Sequence, residues 1–577
     1  MTKTNIDYCK NKTIDLKHLE MSFLPDSEDK EYQYNPFLIQ GLQKYQPIYS
    51  LFFEMTENNY SDINLKHNFY MIDMNTVLDI SSNKTVNKPV FIKYSPLYDP
   101  IKYMIGKYEN DNYKPLFYNL PTITSNETNC NKKIVSIHNA AYTDGFFCFI
   151  SSHLLNIHKF ENAIDFYGSY LGIQDKFKMN ISDDYEYLNN STFFNDNSKK
   201  LFDITRNTVT QFMNYNSRGN KHKLNISSSM IDIDDGVINI ESLPSTFNLS
   251  NNIDIIIDTE TVDELDIVYQ KETIELNGNG SDSDSDENCT TEGNNDGSTD
   301  SIGSIEEEDE EDDDDEESST SSPENIFTYI HKFPVQMICL EKCDGTLDEL
   351  FENEQIPESE TLSALFQVIM TLITYQKVFH FTHNDLHTNN IMFKKTAKKY
   401  IYYKYNKILY RVPTFGRIFK IIDFGRSIYK FNGHLFCSDS FAPGGDAATQ
   451  YNFDPFYDSN KPIIKPNYSF DLCRLGTSIF DFIFDIDNMT NETDMTPLQK
   501  IIFTWCSDDA GKNILYKKNK EERYCNFKIY KMIARTVHAH LPEKQLQLPV
   551  FKQYEFVSKK KYIFDNIINI DKIPCYI

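Results

Sequence analysis

Two short polar motifs, each directly after an apolar segment, limit the folds that this chain can adopt. The first, at 383–390, reads HNDLHTNN and follows an apolar run over 361–378 whose periodicity predicts a long helix. The second is Asp-Phe-Gly at 423–425, where a predicted strand over 418–423 ends. Both motifs place carboxylates or amides at the ends of buried elements, and we expect these side chains to face one cleft.

Three residues of these motifs match the needs of phosphoryl transfer. That reaction needs a carboxylate to hold the acceptor hydroxyl, and oxygen ligands for a Mg²⁺ ion that bridges the phosphates. Asp385 is the candidate catalytic base, and Asn390 lies five residues later on the same loop, where it can point into the same cleft. Asn390 and Asp423 are the candidate metal ligands. The motifs therefore predict phosphotransfer that uses ATP and Mg²⁺ as cofactors, with Asp385 and Asn390 as catalytic residues.

With these motifs the chain resembles the eukaryotic-type protein kinase superfamily, and it is similar to the divergent protein-kinase-like proteins of giant DNA viruses such as mimivirus. The resemblance runs from about residue 70 to the C-terminus. It implies an α+β, two-lobe protein-kinase-like fold with a small β-rich N-lobe, a larger, mainly helical C-lobe and a long acidic insertion in the N-lobe. It also implies a serine/threonine protein kinase that transfers the γ-phosphate of Mg-ATP to a protein hydroxyl.

The resemblance implies three residues that bind the nucleotide besides Asp423. The sequence Val-Phe-Ile-Lys is similar to the kinase strand whose lysine contacts the α- and β-phosphates, and this lysine is Lys93 here. The sequence VQMICLEKCDGTLDEL is similar to the fifth strand, the hinge and the following helix of a kinase. Backbone groups around Glu341 to Cys343 would therefore receive the adenine.

Two further residues are expected to support the loop at 383–390. The sequence Phe-Asp-Leu-Cys-Arg-Leu-Gly is similar to the kinase helix whose buried aspartate holds this loop by hydrogen bonds. Asp471 is that aspartate in this chain, and His383 is the histidine that begins the loop. The resemblance gives both residues a structural role.

The sequence departs from the kinase pattern around Lys93. No Gly-x-Gly-x-x-Gly precedes this lysine, and the turn at 81–84 reads Ser-Ser-Asn-Lys. The helix predicted after it contains no glutamate to pair with Lys93, and Asp144 and Glu161 flank the expected position. The acidic partner of Lys93 is therefore left unassigned.

Other departures concern the acceptor. No Ala-Pro-Glu lies between Asp423 and Asp471. His387 stands where protein-serine kinases usually have lysine, and the pattern His-x-Asp-Leu-His is similar to that of aminoglycoside and other small-molecule kinases. Two alternatives to a protein kinase therefore stay open. One is a small-molecule phosphotransferase, and the other is a pseudokinase or interaction protein that uses its acidic insertion.

The expected organisation has three parts. Residues 1–70 form an N-terminal extension that packs on the N-lobe, 71–340 form the N-lobe, and 341–577 form the hinge and the C-lobe. An insertion over about 172–334 interrupts the N-lobe, and within it 278–323 are acidic and predicted to be disordered. The segment 281–317 alone has 19 Asp and Glu and no Lys or Arg, so most of the formal charge of -28 is local.

The N-lobe is predicted to contain a β-hairpin, a helix and two further strands. Thr143 is expected to cap the helix. The predicted bounds are 76–80 and 89–94 for the hairpin strands, 141–158 for the helix, and 163–171 and 335–340 for the other strands.

Composition also limits the partners. The 11 cysteines form no CxxC pair, so we expect neither a disulfide framework nor a structural zinc site. We expect an intracellular location, in the host cytoplasm or a viral factory, with packaging in the virion as an alternative. The acidic run favours a protein substrate, of basic character, over nucleic acid. No membrane segment and no oligomeric state are predicted.

Overall fold

The computed structural model describes residues 6–10, 14–109, 114–205, 326–353, 356–485, 494–524, 526–557 and 567–577. The strands are β1 (Tyr8–Cys9), β2 (Ile39–Gln43), β3 (Asn64–Leu65), β4 (Phe69–Met71), β5 (Thr76–Asp79), β6 (Lys84–Asn87), β7 (Val90–Pro96), β8 (Phe166–Asn180), β9 (Phe202–Ile204), β10 (Phe327–Glu341), β11 (Gly345–Thr346), β12 (Ile391–Lys395), β13 (Tyr400–Tyr405), β14 (Ile408–Pro413), β15 (Arg417–Ile421), β16 (Ile428–Phe431), β17 (His434–Cys437) and β18 (Ile567–Asn569). The α-helices are α1 (Leu16–Ser22), α2 (Ser27–Glu31), α3 (Pro100–Met104), α4 (Lys132–Val135), α5 (Ala140–His158), α6 (Tyr185–Asn189), α7 (Thr192–Asn197), α8 (Leu347–Asn353), α9 (Glu358–Phe379), α10 (Phe470–Ile483), α11 (Pro497–Trp505), α12 (Lys528–Thr536), α13 (Pro542–Gln545) and α14 (Pro549–Lys552).

A five-stranded antiparallel sheet positions Lys93. Its strand order is β2-β8-β10-β7, and β9 pairs with β10 beside this path. Lys93 of β7 lies opposite Ile338 of β10, in the middle of the pairing between the two strands. The apolar run that ends β10 is buried throughout, which fits a strand covered on both faces. Helix α5 contacts both β8 and β10.

The predicted hairpin is wrong in its second strand. Strand β5 pairs with β6, and β7 belongs to the five-stranded sheet instead. Strand β6 reads Lys-Thr-Val-Asn, with Val86 as its single apolar residue, so its pattern gave too weak a strand signal. Val86 lies opposite Val77 of β5, and this pair holds the short strand in place.

Three further elements differ from their predicted bounds. Helix α5 begins at Ala140 and is capped by Asn139, whose side chain accepts a hydrogen bond from the Ala141 N–H at 3.0 Å, whereas Thr143 lies inside the helix. Strands β8 and β10 are longer than predicted, because their outer halves alternate apolar and polar residues and pair with each other. Residues 172–180 and 327–334, which were assigned to the insertion, therefore belong to these strands.

The remaining insertion lies mostly outside the described residues. The acidic run predicted at 278–323 lies there entirely. Within the described range, residues 181–205 contribute α6, α7 and β9, and β9 extends the five-stranded sheet.

The long helix predicted at 361–378 is confirmed as α9. By length and apolar composition α9 is able to cross a membrane, but 94% of its most apolar stretch is buried inside the fold. It ends at His380, whose left-handed backbone (φ 49°) turns the chain toward the first polar motif.

The strand predicted over 418–423 is confirmed as β15, which ends two residues earlier. Strand β12 pairs with β15, and the hairpin of β13 and β14 is joined by β18 in parallel. The two motifs thus follow elements of one core. Phe147 of α5 lies against Phe381 and Phe424, with ring centroids 4.4 and 4.5 Å away, and this contact holds α5 against both motifs.

Candidate active site

Asp471 of α10 holds the start of the loop at 383–390. The Asp471 side chain is fully buried, and its two carboxylate oxygens accept hydrogen bonds from the backbone N–H groups of His383 at 2.9 Å and Asn384 at 2.8 Å. Burial raises the pKa of Asp471 above its ordinary value, although both hydrogen bonds favour the charged form. The start of the loop is therefore fixed by two hydrogen bonds to one buried side chain.

His383 ties this loop to the segment that contains Asp423. Its ring Nε2 donates to the carbonyl of Ile422 at 2.9 Å, and its Nδ1 accepts from the Asp385 N–H at 3.3 Å. The Ile422 N–H in turn donates to the Asn390 carbonyl at 3.0 Å. These bonds hold Asp385, Asn390 and Asp423 on two adjacent stretches of chain.

Two residues of the motifs adopt left-handed backbone conformations. Asn384 has φ 65° and Asp423 has φ 64°. Asn and Asp tolerate this region better than other non-glycine residues, yet it carries a conformational cost. Backbone strain at both motifs indicates that the surrounding contacts impose the positions of Asp385 and of the Asp423 carboxylate.

Asp385 is surrounded by cations and by a tyrosine. Its Oδ2 pairs with Arg426 at 3.2 Å, its Oδ1 accepts from the Tyr530 hydroxyl at 2.7 Å, and Arg474 lies 3.9 Å from Oδ1. Burial alone would raise the pKa of Asp385, but Arg426 and Arg474 hold it below its ordinary value. Asp385 is thus ionised at neutral pH, as a base must be. Sequence reasoning missed all three partners.

Asn390 is oriented by its own loop. Its amide nitrogen donates to the Asp385 carbonyl at 2.9 Å and contacts His387 Nε2 at 3.1 Å. Burial, followed by the charge of Arg474, lowers the pKa of His387 to about 4, so the ring is neutral and its Nε2 accepts this bond. The amide nitrogen is therefore directed inward, and Oδ1 of Asn390 remains as its ligand atom.

Lys93 connects the five-stranded sheet to the second motif. Its Nζ lies 2.6 Å from Asp144 Oδ2 and 2.9 Å from Asp423 Oδ1. Burial alone would lower the pKa of Lys93, but the two carboxylates hold it above its ordinary value. Asp423 is likewise kept well below its ordinary pKa by Lys93, against the effect of burial. Lys93 and Asp423 are therefore both charged at neutral pH.

Asp144 is the acidic partner that sequence reasoning left unassigned. It lies in the first turns of α5, is 1% exposed, and also accepts from the Phe424 N–H at 2.9 Å. The kinase pattern predicts a glutamate in the middle of this helix, whereas the partner is an aspartate near its start. The signal was present, because Asp144 is the only carboxylate within α5.

Glu341 and Cys343 have different surroundings. The Glu341 carboxylate accepts from Lys420 Nζ at 2.7 Å and from the Asp165 N–H at 2.9 Å, and its own N–H donates to the Asp165 carbonyl. Among the backbone hydrogen bonds of the described residues, none uses the Cys343 N–H or carbonyl. Burial raises the pKa of the Cys343 thiol to about 12, so it is neutral. Cys343 thus keeps free backbone groups at the end of β10.

The hydrogen-bond donors of the turn between β5 and β6 are already bonded to a carboxylate, that of Asp79. Asp79 Oδ1 accepts from the Ser81 N–H at 2.8 Å and from the Ser81 hydroxyl at 2.7 Å, and Oδ2 accepts from the Ser82 hydroxyl at 2.9 Å. A carboxylate at these groups repels phosphate. This turn therefore does not replace a glycine-rich phosphate loop.

The donor set fits a magnesium ion. Asn390 Oδ1 and Asp423 Oδ2 have no hydrogen-bond partner among the described residues, and both are hard oxygen donors. Mg²⁺ takes only one or two protein carboxylate or amide ligands and keeps several waters. No group of three or more His, Cys, Asp or Glu side chains in the described ranges is arranged to hold a metal. A site built on Asp423 and Asn390 does not require one.

Comparison with known proteins gives one short similarity. No protein-family model matches the chain. A stretch of 79 residues is 35% identical to the serine/threonine-protein kinase haspin of Bos taurus, and it covers 14% of this chain and 10% of haspin. The matched stretch therefore spans about a tenth of that relative. This partial similarity supports a kinase-like relationship for the chain.

Proposed function

We propose that this protein is an ATP-dependent serine/threonine protein kinase with a two-lobe α+β fold. The observation that carries the proposal is the bridge from Lys93 of β7 to Asp423 at 2.9 Å, beside the loop that holds Asp385 and Asn390. A cation, two oxygen ligands and an ionised carboxylate in one cleft are the parts that phosphoryl transfer needs.

Each residue has a separate role in this proposal. Lys93 neutralises the α- and β-phosphates, and its pairing with Asp144 holds the ammonium in place. Asn390 and Asp423 hold Mg²⁺, which when bound neutralises the charge of the transferred phosphoryl group. Asp385 accepts the proton of the acceptor hydroxyl. Free backbone groups at Cys343 receive the adenine, and the Lys420 contact fixes Glu341 beside them.

The fold is divided between two lobes in the same proposal. The sheet β2-β8-β10-β7 with α5 forms the small lobe, and the chain from β11 onward forms the large lobe. The division follows from the chain order of Lys93, Glu341 and Asp385, since nucleotide binding and catalysis then come from opposite sides of one cleft.

A protein acceptor is favoured by two observations. The similar stretch belongs to an enzyme named as a serine/threonine-protein kinase. The acidic segment 281–317, with 19 carboxylates, attracts basic proteins. We therefore place basic proteins first among the acceptors.

A labelling experiment tests the proposal. The full chain is incubated with ATP labelled at the γ- or the α-phosphate, with Mg²⁺ or EDTA, and with basic proteins, acidic proteins or aminoglycosides. The proposal predicts label from γ-labelled ATP only, only with Mg²⁺, and on serine or threonine of protein acceptors. Transfer to aminoglycosides alone would assign a small-molecule phosphotransferase. Transfer to none of these acceptors would contradict kinase activity.

A further inference from the structure

A tyrosine that is distant in sequence contacts the candidate base. Tyr530 belongs to α12, and its hydroxyl donates to Asp385 Oδ1 at 2.7 Å. A general base must lie within about 2.6–3.2 Å of the group that it deprotonates. The Tyr530 hydroxyl meets this condition in the protein alone.

The hydroxyl of Tyr530 is held in one orientation. Arg474 Nε donates to it at 2.9 Å, while its proton points to Asp385. The ring is stacked on Phe527 with centroids 5.1 Å apart. Because both the ring and the hydroxyl are fixed, little conformational freedom is lost before a reaction at this oxygen.

Two guanidinium groups lie over the same ring. Arg474 and Arg426 are 5.1 and 5.6 Å from the ring centroid of Tyr530. Burial raises the pKa of Tyr530, so the phenol keeps its proton at neutral pH. A phosphate on this oxygen would carry nearly two negative charges, and arginines are the preferred partners of such a group. The surroundings therefore suit both the phenol and its phosphate ester.

We propose that Tyr530 is an internal phosphate acceptor, phosphorylated by the same chain that contains it. The inference rests on the proposed kinase function and names one acceptor of that site. The Tyr530 oxygen forms a bond to the γ-phosphorus of ATP, and the bond from that phosphorus to the β,γ-bridging oxygen breaks. ADP leaves, and the phenolic proton passes to Asp385.

Phosphosite mapping tests the inference on the full chain. Cleavage after glutamate yields the peptide 523–543, and fragmentation of it distinguishes Tyr530 from Tyr524. After incubation with Mg-ATP we expect phosphotyrosine at 530, formed with a rate constant that does not change with protein concentration. Asp385→Asn should slow its formation by about a hundredfold or more.

Two variants complete the experiment. Tyr530→Phe should lack this phosphate, and its rate of transfer to external proteins shows separately whether Tyr530 also positions Asp385. The control is Tyr405→Phe, since the Tyr405 hydroxyl also contacts a carboxylate, but that carboxylate is Glu543, whose Oε2 lies at 3.2 Å, and not Asp385. This control should form phosphotyrosine 530 at the wild-type rate.

Two results would overturn the inference and leave the kinase proposal intact. These are transfer to external proteins without phosphotyrosine 530, and formation of phosphotyrosine 530 at a rate proportional to protein concentration. Absence of transfer to any acceptor, in both wild type and Tyr530→Phe, would contradict the proposed function itself.

Discussion

At the scale of single residues, the account depends most on Asp144. This buried carboxylate holds Lys93 at 2.6 Å and the Phe424 N–H at 2.9 Å, so it connects the sheet, α5 and the second motif. Asp→Asn keeps the shape of the side chain and removes its charge. In Asp144→Asn, Lys93 therefore pairs with Asp423 alone, and Asp423 is also the candidate metal ligand.

The first prediction concerns Asp144→Asn. We expect at least about a tenfold loss of kcat/KM for ATP, because Lys93 is drawn to Asp423 and both lose their positions. Steady-state kinetics at several ATP concentrations measures the effect. Asp7→Asn is the control, since Asp7 forms an exposed pair with Lys66 at 3.5 Å. Wild-type kinetics in Asp144→Asn would show that the pair has no function.

The second prediction concerns pH. Asp385 has a lowered pKa and His387 a pKa of about 4, so both lose their protons well below neutral pH. The base form of Asp385 is therefore lost only as pH falls through a value below the ordinary one of about 3.9. We expect kcat to stay level as pH is lowered from 8 to about 5. A fall of kcat below about pH 6.5 that is absent in His387→Asn would contradict the assignment of Asp385 as the base.

The residues of the site differ in how far sequence could predict them. Asp385, Asn390 and Asp423 stand in motifs whose spacing is local, so their positions are readable from the chain. Asp144 is identifiable as the partner of Lys93 only once it is known which turn of α5 faces this lysine, and that depends on tertiary packing. Tyr530 and Arg474 contact Asp385 through tertiary packing of α10 and α12, and no local pattern contains that information.

At the scale of elements, the N-terminus of α5 is held by the segment that follows the second motif. Asp439 Oδ1 accepts from the Ala140 N–H at 3.0 Å, and Oδ2 pairs with Lys133 at 2.5 Å. A carboxylate at this helix end satisfies a free N–H and complements the helix dipole. Since α5 also contains Asp144, the contact connects this segment to Lys93.

The third prediction is that Asp439→Ala lowers phosphotransfer by about threefold to thirtyfold, because loss of a carboxylate contact worth about 0.5–2 kcal/mol at this helix end loosens the start of α5. Phosphatase treatment should leave wild-type activity unchanged, since a carboxylate already occupies this helix end, and the residue before Asp385 is Asn384, which has no charge to pair with a phosphate. Asp458→Ala is the control, because Asp458 pairs with Lys461 on an exposed turn of the same segment. Loss of wild-type activity after phosphatase treatment would contradict this prediction.

Elements were predictable where burial was uniform. Helix α9 is buried on nearly every face, and its bounds differ from the prediction by a few residues. Strand β6 and the outer halves of β8 and β10 were missed because partly exposed strands carry polar residues that resemble loops. The predicted N-cap of α5 is wrong because Asn139 and Thr143 are both residue types that cap helices, and the sequence pattern alone does not select between them.

At the scale of the whole molecule, the described residues on either side of 206–325 lie next to each other. The Thr205 N–H donates to the Phe327 carbonyl at 3.0 Å, and the Phe327 N–H donates to Thr205 Oγ1 at 3.0 Å. The residues between them, including the acidic run at 278–323, lie outside the described ranges. Closing a shorter connection between two adjacent residues changes the loop entropy only slightly.

The fourth prediction is that deletion of 278–323 shifts the melting temperature by less than about 2 °C and leaves ATP kinetics unchanged. Carboxylates and serines contribute no apolar surface to a core. Capture of basic proteins should fall, and a variant with Asn and Gln in place of the acidic residues separates charge from length. A large drop in melting temperature would refute the prediction.

The central claim is that Asp385 is the base of Mg-ATP-dependent phosphotransfer, and Asp385→Asn tests it most directly. At saturating Mg-ATP, the rate of γ-phosphate transfer to a basic protein should fall by about 10²- to 10⁴-fold, because no carboxylate remains to accept the proton. Calorimetry should find the affinity for Mg-ATP within about threefold of wild type, since Lys93, Asn390 and Asp423 remain. A transfer rate equal to that of the wild type, with unchanged Mg-ATP binding, would contradict the account.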